Sequence, residues 1–327
     1  MYDIIGDIHG HADELVSLLE LMGYRQRAGG VYEHPSRHAI FVGDFVDRGP
    51  KIPEVLRLVR AMVDGGTAQA VMGNHEFNAI AYHTPVEPGS TQFFRKHSEK
   101  NTHQHGETLK QFRADTPAGK ADFLSWIDWF RTLPTFLEIE KGPCAVHACW
   151  DNSQFELIDN AIHQHGPFTP EFLAAGPEGS PLHNAIEIVL KGPEAPVPPG
   201  RAFADKEGNE RHEFRTRWYM SPVGQSYRSY SLQAEPIESD DPISKEVAAT
   251  ARPYSPLEKP VFFGHYWLQC GGPLPPPRPL ASNVACVDYS VAKGGHLCAY
   301  RWDGERELDD SKFVWMAASD RDITQPQ

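Results

Sequence analysis

The chain is poor in cysteine, short of positive charge and without any long apolar run. Its five cysteines, Cys144, Cys149, Cys270, Cys286 and Cys298, are an odd number with no Cys-x-x-Cys pair. Neither a disulfide framework nor a thiolate zinc site is therefore expected, and the thiols read as reduced and mostly buried. No stretch approaches the roughly 18 apolar residues of a membrane-spanning helix. The opening Met1-Tyr2-Asp3-Ile4-Ile5-Gly6-Asp7 does not have the basic start and apolar stretch of a secretory signal. A soluble, cytoplasmic protein with no membrane partner is expected. Lys and Arg number 31 against 44 Asp and Glu, a formal net charge of −13, which disfavours a broad basic surface gripping duplex nucleic acid. Bound cations could still reverse the field locally and draw an anionic substrate. Heptads and internal repeats are missing as well. What remains is a chain of 327 residues, 40% hydrophobic and 11% aromatic, long enough for one large core.

The residues that are present form a run of strand–helix units. Residues 3–5 read as a strand stopped by Gly6. Leu15, Leu18, Leu19 and Met22 follow at helical spacing, with Asp13 and Glu14 at the positive end and Gly23 as the stop. Residues 39–42 read as a second strand, followed by a loop over 43–50 and a helix stripe of Ile52, Val55, Leu56, Val59 and Met62. A third strand over 68–72 runs into Gly73-Asn74-His75-Glu76. Polar residues thus collect at the carboxyl ends of strands, where open α/β sheets bind ligands. A polar excursion is expected at about 85–119, then a helix through Phe123, Trp126, Trp129 and Phe130 whose tryptophans read as core. Residues 135–139 and 145–148 read as paired strands, the second delivering His147. From about 151 to 259 the sequence is less regular. It holds one helical segment over 182–190, then Pro193, Pro196, Pro198 and Pro199, and reads as a cap or lid insertion in a single domain spanning 1–327. Residues 261–264 lead into His265. Strands at 284–287, 297–302 and around 313–316 are expected to complete a second sheet, and the tail from Ala318 to fray.

Three short motifs carry the chemistry: Gly6-Asp7-Ile8-His9-Gly10, Gly43-Asp44-Phe45-Val46-Asp47-Arg48-Gly49 and Gly73-Asn74-His75-Glu76. Each sets oxygen or nitrogen donors beside glycines, which let the backbone turn sharply after a strand and leave room for an ion. Carboxylate, amide oxygen and imidazole together suit manganese, iron, zinc or a similar ion, and no cysteine selects a softer site. Two later stretches, Cys144-Ala145-Val146-His147-Ala148 and Phe263-Gly264-His265-Tyr266-Trp267, add histidines. Val287-Asp288-Tyr289-Ser290 through Gly294-Gly295-His296-Leu297 follows. In this order the motifs resemble those of the calcineurin-like metallophosphoesterases, in the phosphoprotein phosphatase branch shared with bacterial symmetrical diadenosine tetraphosphatases. Recognisable pieces cover roughly residues 1–82, 122–150 and 260–303. The sequence departs from the pattern at Cys149, where glycine is usual near the histidine, and at Tyr289-Ser290, where threonine-glycine is common.

The resemblance implies an α/β fold, a β-sandwich of two mixed sheets flanked by helices, and two divalent cations. Manganese is the first choice, with iron, zinc, nickel, cobalt and magnesium as alternatives. Asp7 and His9 would hold one cation, Asn74, His147 and His265 the other, and Asp44 would bridge both. In-line attack by a water activated between them would split a phosphomonoester. That substrate would be a phosphorylated small molecule or a phosphoprotein bearing phosphoserine, phosphothreonine or phosphotyrosine. The alternative is symmetric hydrolysis of a dinucleoside polyphosphate. His75 would protonate the leaving group, Asp47 orient that imidazole, and Arg48, with Asn74, bind the phosphate. Taken alone, Asp47-Arg48 could be a plain surface pair. Arg215 and Arg217, on one face if their segment is extended, are candidates for a second phosphate-binding arginine, and Trp218 and Tyr219 for stacking aromatics. His11, His34, His38, His83, His97, His103, His105, His163 and His165 read as loop residues outside the metal site. A family member kept only as a binding scaffold would show a lost ligand or acid, and every one of these positions is filled.

Overall fold

The computed structural model describes residues 1–27, 29–198, 200, 202–204, 210–232 and 237–319. The first strand, Tyr2–Ile5, sits inside a mixed sheet. On one side it pairs in parallel with His38–Phe41, which pairs in parallel with Ala68–Ala70. On the other it pairs antiparallel with His296–Trp302, which also carries Asp288–Tyr289 and Phe313–Ala317. A second sheet runs Phe136–Glu138, Cys144–Val146, Val261–Phe263 and Val284–Cys286, the first pair antiparallel and the rest parallel.

Side chains alternate across a strand, and that alternation builds the layers. Ile4, Ile40 and Val42 from the first sheet meet Ala145, Phe262 and Ala285 from the second in one buried cluster. Their neighbours Ile5, Ala39, Phe41, Phe263 and Val284 point outward into another cluster, with the stripes of helices Ala12–Leu21 and Ile52–Asp64. The protein is thus a β-sandwich of two mixed sheets flanked by helices. Strands buried on both faces must be apolar at successive positions, which is why residues 39–42 show no polar alternation.

Several expectations need correction. His296–Trp302 and Phe313–Ala317 belong to the first sheet, and only Val284–Cys286 joins the second. Apolar runs mark strands but do not say which sheet takes them. Ala318 and Ser319 do not fray: their amides donate to Gly295 O at 2.9 Å and Glu14 Oε1 at 2.9 Å, while 320–327 lie outside the described residues. Residues 151–191 are regular, forming helices Asn152–His165, Pro170–Ala175 and Pro181–Lys191, capped by the side chains of Asp151, Thr169 and Ser180. Phe155, Ile158, Phe172, Ile186 and Val189 seat them on the main core. Beyond them a ribbon of Glu194–Pro196 and Glu213–Arg215 covers a satellite cluster around Phe214, Tyr227 and Tyr230. Pro199 of the proline cluster lies outside the described residues. The polar excursion contains helices Glu99–Gln104 and Gly106–Gln111, and it is fastened to helix Asn74–His83. Arg95 Nη1 donates to Asn78 Oδ1 at 2.9 Å, and the His97 ring stacks on Tyr82 with centroids 3.9 Å apart. Among the described residues no helix is long and apolar enough to cross a membrane.

Candidate metal centre

Four strand ends and one helix start converge at one point. Asp7 and His9 follow Tyr2–Ile5, Asp44 follows His38–Phe41, His147 follows Cys144–Val146, and His265 follows Val261–Phe263, while Asn74 opens helix Asn74–His83. The turns that aim these side chains are unusual. His9, Asp44 and His265 have φ of 43°, 54° and 70°, and Asp47, Arg48 and Trp267 have 67°, 72° and 53°. Each such residue costs on the order of 1–3 kcal/mol unless its surroundings impose the conformation.

Glu76 supplies much of that imposition. Its carboxylate accepts from the amides of Asp44 at 2.9 Å, Phe45 at 2.8 Å, Val46 at 3.3 Å and Gly73 at 3.0 Å. One buried side chain therefore sets the turn of the second motif and the start of the third. Burial and the Asp44 charge push this carboxyl up to about 7, against the pull of the backbone donors.

Asp44 is the hub. Its Oδ2 lies 3.4 Å from His9 Nε2, its Oδ1 lies 3.4 Å from His147 Nε2 and accepts from the His75 amide at 3.0 Å. Asn74 Oδ1 faces His147 Nε2 at 3.0 Å and His265 Nδ1 at 2.9 Å. His147 Nδ1 is 2.7 Å from Val42 O and His9 Nδ1 is 2.8 Å from Val46 O. A carbonyl only accepts, so both rings carry hydrogen on Nδ1 and turn Nε2 inward. Two triads of ligand atoms, His9/Asp44/His75 and Asp44/His147/His265, are each within 4.8 Å of one another and share Asp44.

The residues fit divalent cations. Asp7 Oδ1, His9 Nε2 and His265 Nε2 are buried without a hydrogen-bond partner, a costly state for polar atoms unless a cation serves them. Burial, with Asp288 nearby, holds the Asp7 carboxyl well above its ordinary range, and burial holds the His9 and His265 imidazoles well below theirs. Against burial, the Asp44 and Asp7 charges push His147 up to about 10, so a proton there stands in for positive charge the carboxylates demand. Space is reserved too: a Cβ on Gly264 would run into Asp7 Oδ1, and one on Gly73 into Asp44 Oδ1.

Beside this cluster stands a second set of groups. His75 Nδ1 is 2.5 Å from Asp47 Oδ2, which leaves Nε2 facing the cluster 4.0 Å from Asp44 Oδ2. Arg48 Nη2 is 3.2 Å from His75 Nε2, and its guanidinium lies 4.0 Å over the Trp267 ring. Lys293 Nζ lies 3.8 Å from the centre of the same ring, and Asp288 Oδ2 accepts from the Trp267 amide at 2.7 Å. Arg215 is near, with its guanidinium 5.9 Å over the Tyr266 ring and its charge helping, after burial, to depress His265. Arg217 is engaged within its own segment, donating to Ser231 O at 3.1 Å and Tyr219 Oη at 2.7 Å. Trp218 and Tyr219 are 4% and 5% exposed within the main core, so neither can stack on a ligand. Sequence reasoning missed Trp267, Asp288 and the structural weight of Glu76. His11 and His105 lie outside helices and strands as expected, but both are buried.

Residues 2–182 match the profile of the family described as calcineurin-like phosphoesterase, more than half of the chain. Over 75 residues the chain is 52% identical to the asymmetrical bis(5'-nucleosyl)-tetraphosphatase PrpE of Halalkalibacterium halodurans, covering 23% of this chain and 30% of that relative. The chain thus spans less than a third of that relative's length. It is 25% identical over 332 residues to the symmetrical bis(5'-nucleosyl)-tetraphosphatase of Histophilus somni, covering 97% of this chain and 98% of the relative. A protein serine/threonine phosphatase from Saccharomyces cerevisiae is similar at a TM-score of 0.47 and 16% identity, over 99% of this chain and 81% of that one.

Proposed function

From the premise that the chain belongs to the calcineurin-like phosphoesterase family, we propose that it is a hydrolase of phosphate esters or anhydrides that works with two divalent cations. The observation that carries this reading is the set of inward-facing, partnerless atoms on Asp7, His9 and His265 around the shared Asp44 carboxylate. Asp7, His9 and Asp44 would hold one cation, and Asp44, Asn74, His147 and His265 the other. When bound, the pair would supply Lewis acidity toward a phosphoryl oxygen and lower the pKa of an attacking water. Manganese is the first choice, because carboxylate, amide and imidazole donors suit it.

The chain's own groups then have distinct tasks. His75, with its Nδ1 hydrogen committed to Asp47, presents Nε2 to the departing oxygen and delivers the proton that an alkoxide needs. Arg48 binds phosphoryl oxygens through its planar fork while the Trp267 face holds it in place. Arg215, on the ribbon beside Tyr266, is the second arginine of choice. Buried free cysteines accord with a reducing, cytoplasmic setting.

Between a phosphomonoester and a dinucleoside polyphosphate, the cationic pair Arg48 and Lys293 on the Trp267 ring favours the longer anion, whose outer phosphates extend past a single phosphoryl site. The full-length alignment with a symmetrical tetraphosphatase supports the same choice. The test is phosphate release from an aryl phosphate and a phosphopeptide beside ADP formation from diadenosine tetraphosphate, with manganese, iron, zinc, nickel, cobalt or magnesium. The highest kcat/KM is expected for the tetraphosphate with manganese. A phosphopeptide turned over faster would return the substrate to the phosphoprotein class, and silence in every metal would remove the hydrolase reading.

A further inference from the structure

Asp47 has two carboxylate oxygens, and only Oδ2 is used by His75. Oδ1 is held from the segment that the sequence marks as a polar excursion. His105 Nδ1 lies 2.6 Å from it, and Thr108 Oγ1 donates to it at 2.6 Å while accepting from the Asp47 amide at 2.9 Å. The hydrogens are fixed by elimination. Thr108 accepts from an N–H, so its own hydrogen goes to Oδ1. A carboxylate only accepts, so His105 carries hydrogen on Nδ1. Its Nε2 then meets His83 Nε2 at 3.3 Å. Burial, then the neighbouring His105 and His97, push His83 down to about 3, so a single hydrogen on His83 completes that contact. Phe123 packs on both rings, with centroids 5.1 Å from His83 and 5.5 Å from His105.

We propose that His105 is a positioning residue for the proton-donating His75, acting through Asp47: with Thr108 it locks Oδ1 so that Oδ2 is presented to His75 Nδ1 in one orientation. Asp47 itself sits at φ 67°, and its side chain is 4% exposed. Without donors on Oδ1 the group could rotate about χ2 and offer His75 a misaligned oxygen. Despite burial, His105 first and His75 next keep this carboxyl far below its usual range, which agrees with an anion gripped from both ends.

The proposal rests on the reading of His75 as the acid of phosphoester cleavage, and the experiment separates the two. The amide nitrogen of asparagine replaces Nδ1 of histidine, and that of glutamine replaces Nε2. His105→Leu, His105→Asn and His105→Gln are compared on an alkyl phosphate, whose leaving group needs a proton, and on a nitrophenyl phosphate, whose leaving group does not. His105→Leu is expected to lower kcat on the alkyl ester by about 10- to 100-fold and to spare KM, metal content and the aryl ester. His105→Asn is expected to restore the rate, and His105→Gln to fail. Equal losses on both esters, or equal rescue by asparagine and glutamine, would overturn the proposal. A second readout is independent of turnover: the His75 Nδ1–H proton should resonate far downfield in the native protein and in His105→Asn, and broaden in His105→Leu. An unchanged signal in His105→Leu overturns the positioning role even if the enzyme is active. Conversely, the expected signals from a protein silent on every ester support the positioning and count against the hydrolase reading.

Discussion

With its Nδ1 hydrogen on Asp47 Oδ2 at 2.5 Å, His75 can offer only Nε2 to a leaving oxygen, and that nitrogen stands 4.0 Å from Asp44 Oδ2, beyond hydrogen-bond reach. His75→Asn should therefore keep its metal content and lose about 10²- to 10⁴-fold in kcat on a poor leaving group; a rate within twofold of the native enzyme on such a substrate would contradict the assignment. Asp44 is the opposite case, since His9, His147 and the His75 amide all converge on its two oxygens. Asp44→Asn removes the shared charge and should empty at least one metal position, as elemental analysis of the purified protein would register. Full occupancy would exclude a bridging role. These residues were legible in the sequence because Gly43 and Gly73 open the motifs that carry them, each following a strand. Trp267 was not, because its partners Arg48, Asp288 and Lys293 come from separate segments, and nothing local marks an aromatic as a rest for a cation.

Helix Asn74–His83 owes its place to contacts on several sides. Glu76, in its first turn, ties three amides of the Asp44 loop and that of the helix's own N-cap, Gly73, and hydrogen bonds to a charged group contribute roughly 1.5–3 kcal/mol each, non-additively. Glu76→Gln turns one acceptor into a donor facing those amides. A loss of about 3 kcal/mol in unfolding free energy is expected, read from urea titration, together with weaker metal retention because the Asp44 turn loosens. A neutral result would show that the backbone holds its left-handed turns unaided. At the start of helix Ile52–Asp64, Gln111 makes a comparable clamp, with Nε2 donating to Gly49 O at 2.8 Å and Oε1 accepting from the Ile52 amide at 2.8 Å. The sequence could not show this: glutamine, threonine and histidine in a polar stretch look like solvated loop until the fold brings Asp47 and Gly49 to them. Of the three helices after Asp151, Pro181–Lys191 was expected over 182–190, while Asn152–His165 and Pro170–Ala175 were a different kind of miss, because Asp151 and Thr169-Pro170 are recognisable start signals.

Across the whole molecule, an ion network, buried at Asp3 and Arg37 and open to solvent at Asp303, joins early and late parts of the chain. Arg37 Nε donates to both oxygens of Asp3 at 2.8 and 2.9 Å, and its Nη1 to Asp303. Arg301 Nε adds a bond to Asp3 Oδ1 at 3.2 Å, and Lys312 pairs with Asp303. Lys312, then Arg37, hold the Asp303 carboxyl down to about 2 from 3.8. The folded state thus binds this proton less readily than the unfolded chain, so the stabilisation is present above pH 3.8 and is lost as pH falls towards about 2. Asp303→Asn should flatten the acid limb of stability in that window, measured as urea midpoints across pH. An unaltered limb would mean that solvent screens the pair. The strand–helix units were readable from periodicity, and the sandwich from the family resemblance. Membership of His296–Trp302 in the first sheet was not, since it depends on a pairing between residues about 300 positions apart.

That pairing also sets a timetable for the protein as it is made. Tyr2–Ile5 finds its parallel neighbour early, but its other edge stays open until His296–Trp302 has left the ribosome, roughly 15–60 s later at 5–20 residues per second. Over most of that interval the nascent chain displays Asp7, His9, Asp44 and Asn74 without His265. Cations that reach it then meet an incomplete set of donors. Loading of the centre is thus expected to be a late step of maturation, and a bare strand edge is the hazard the chain carries until His296–Trp302 pairs with it.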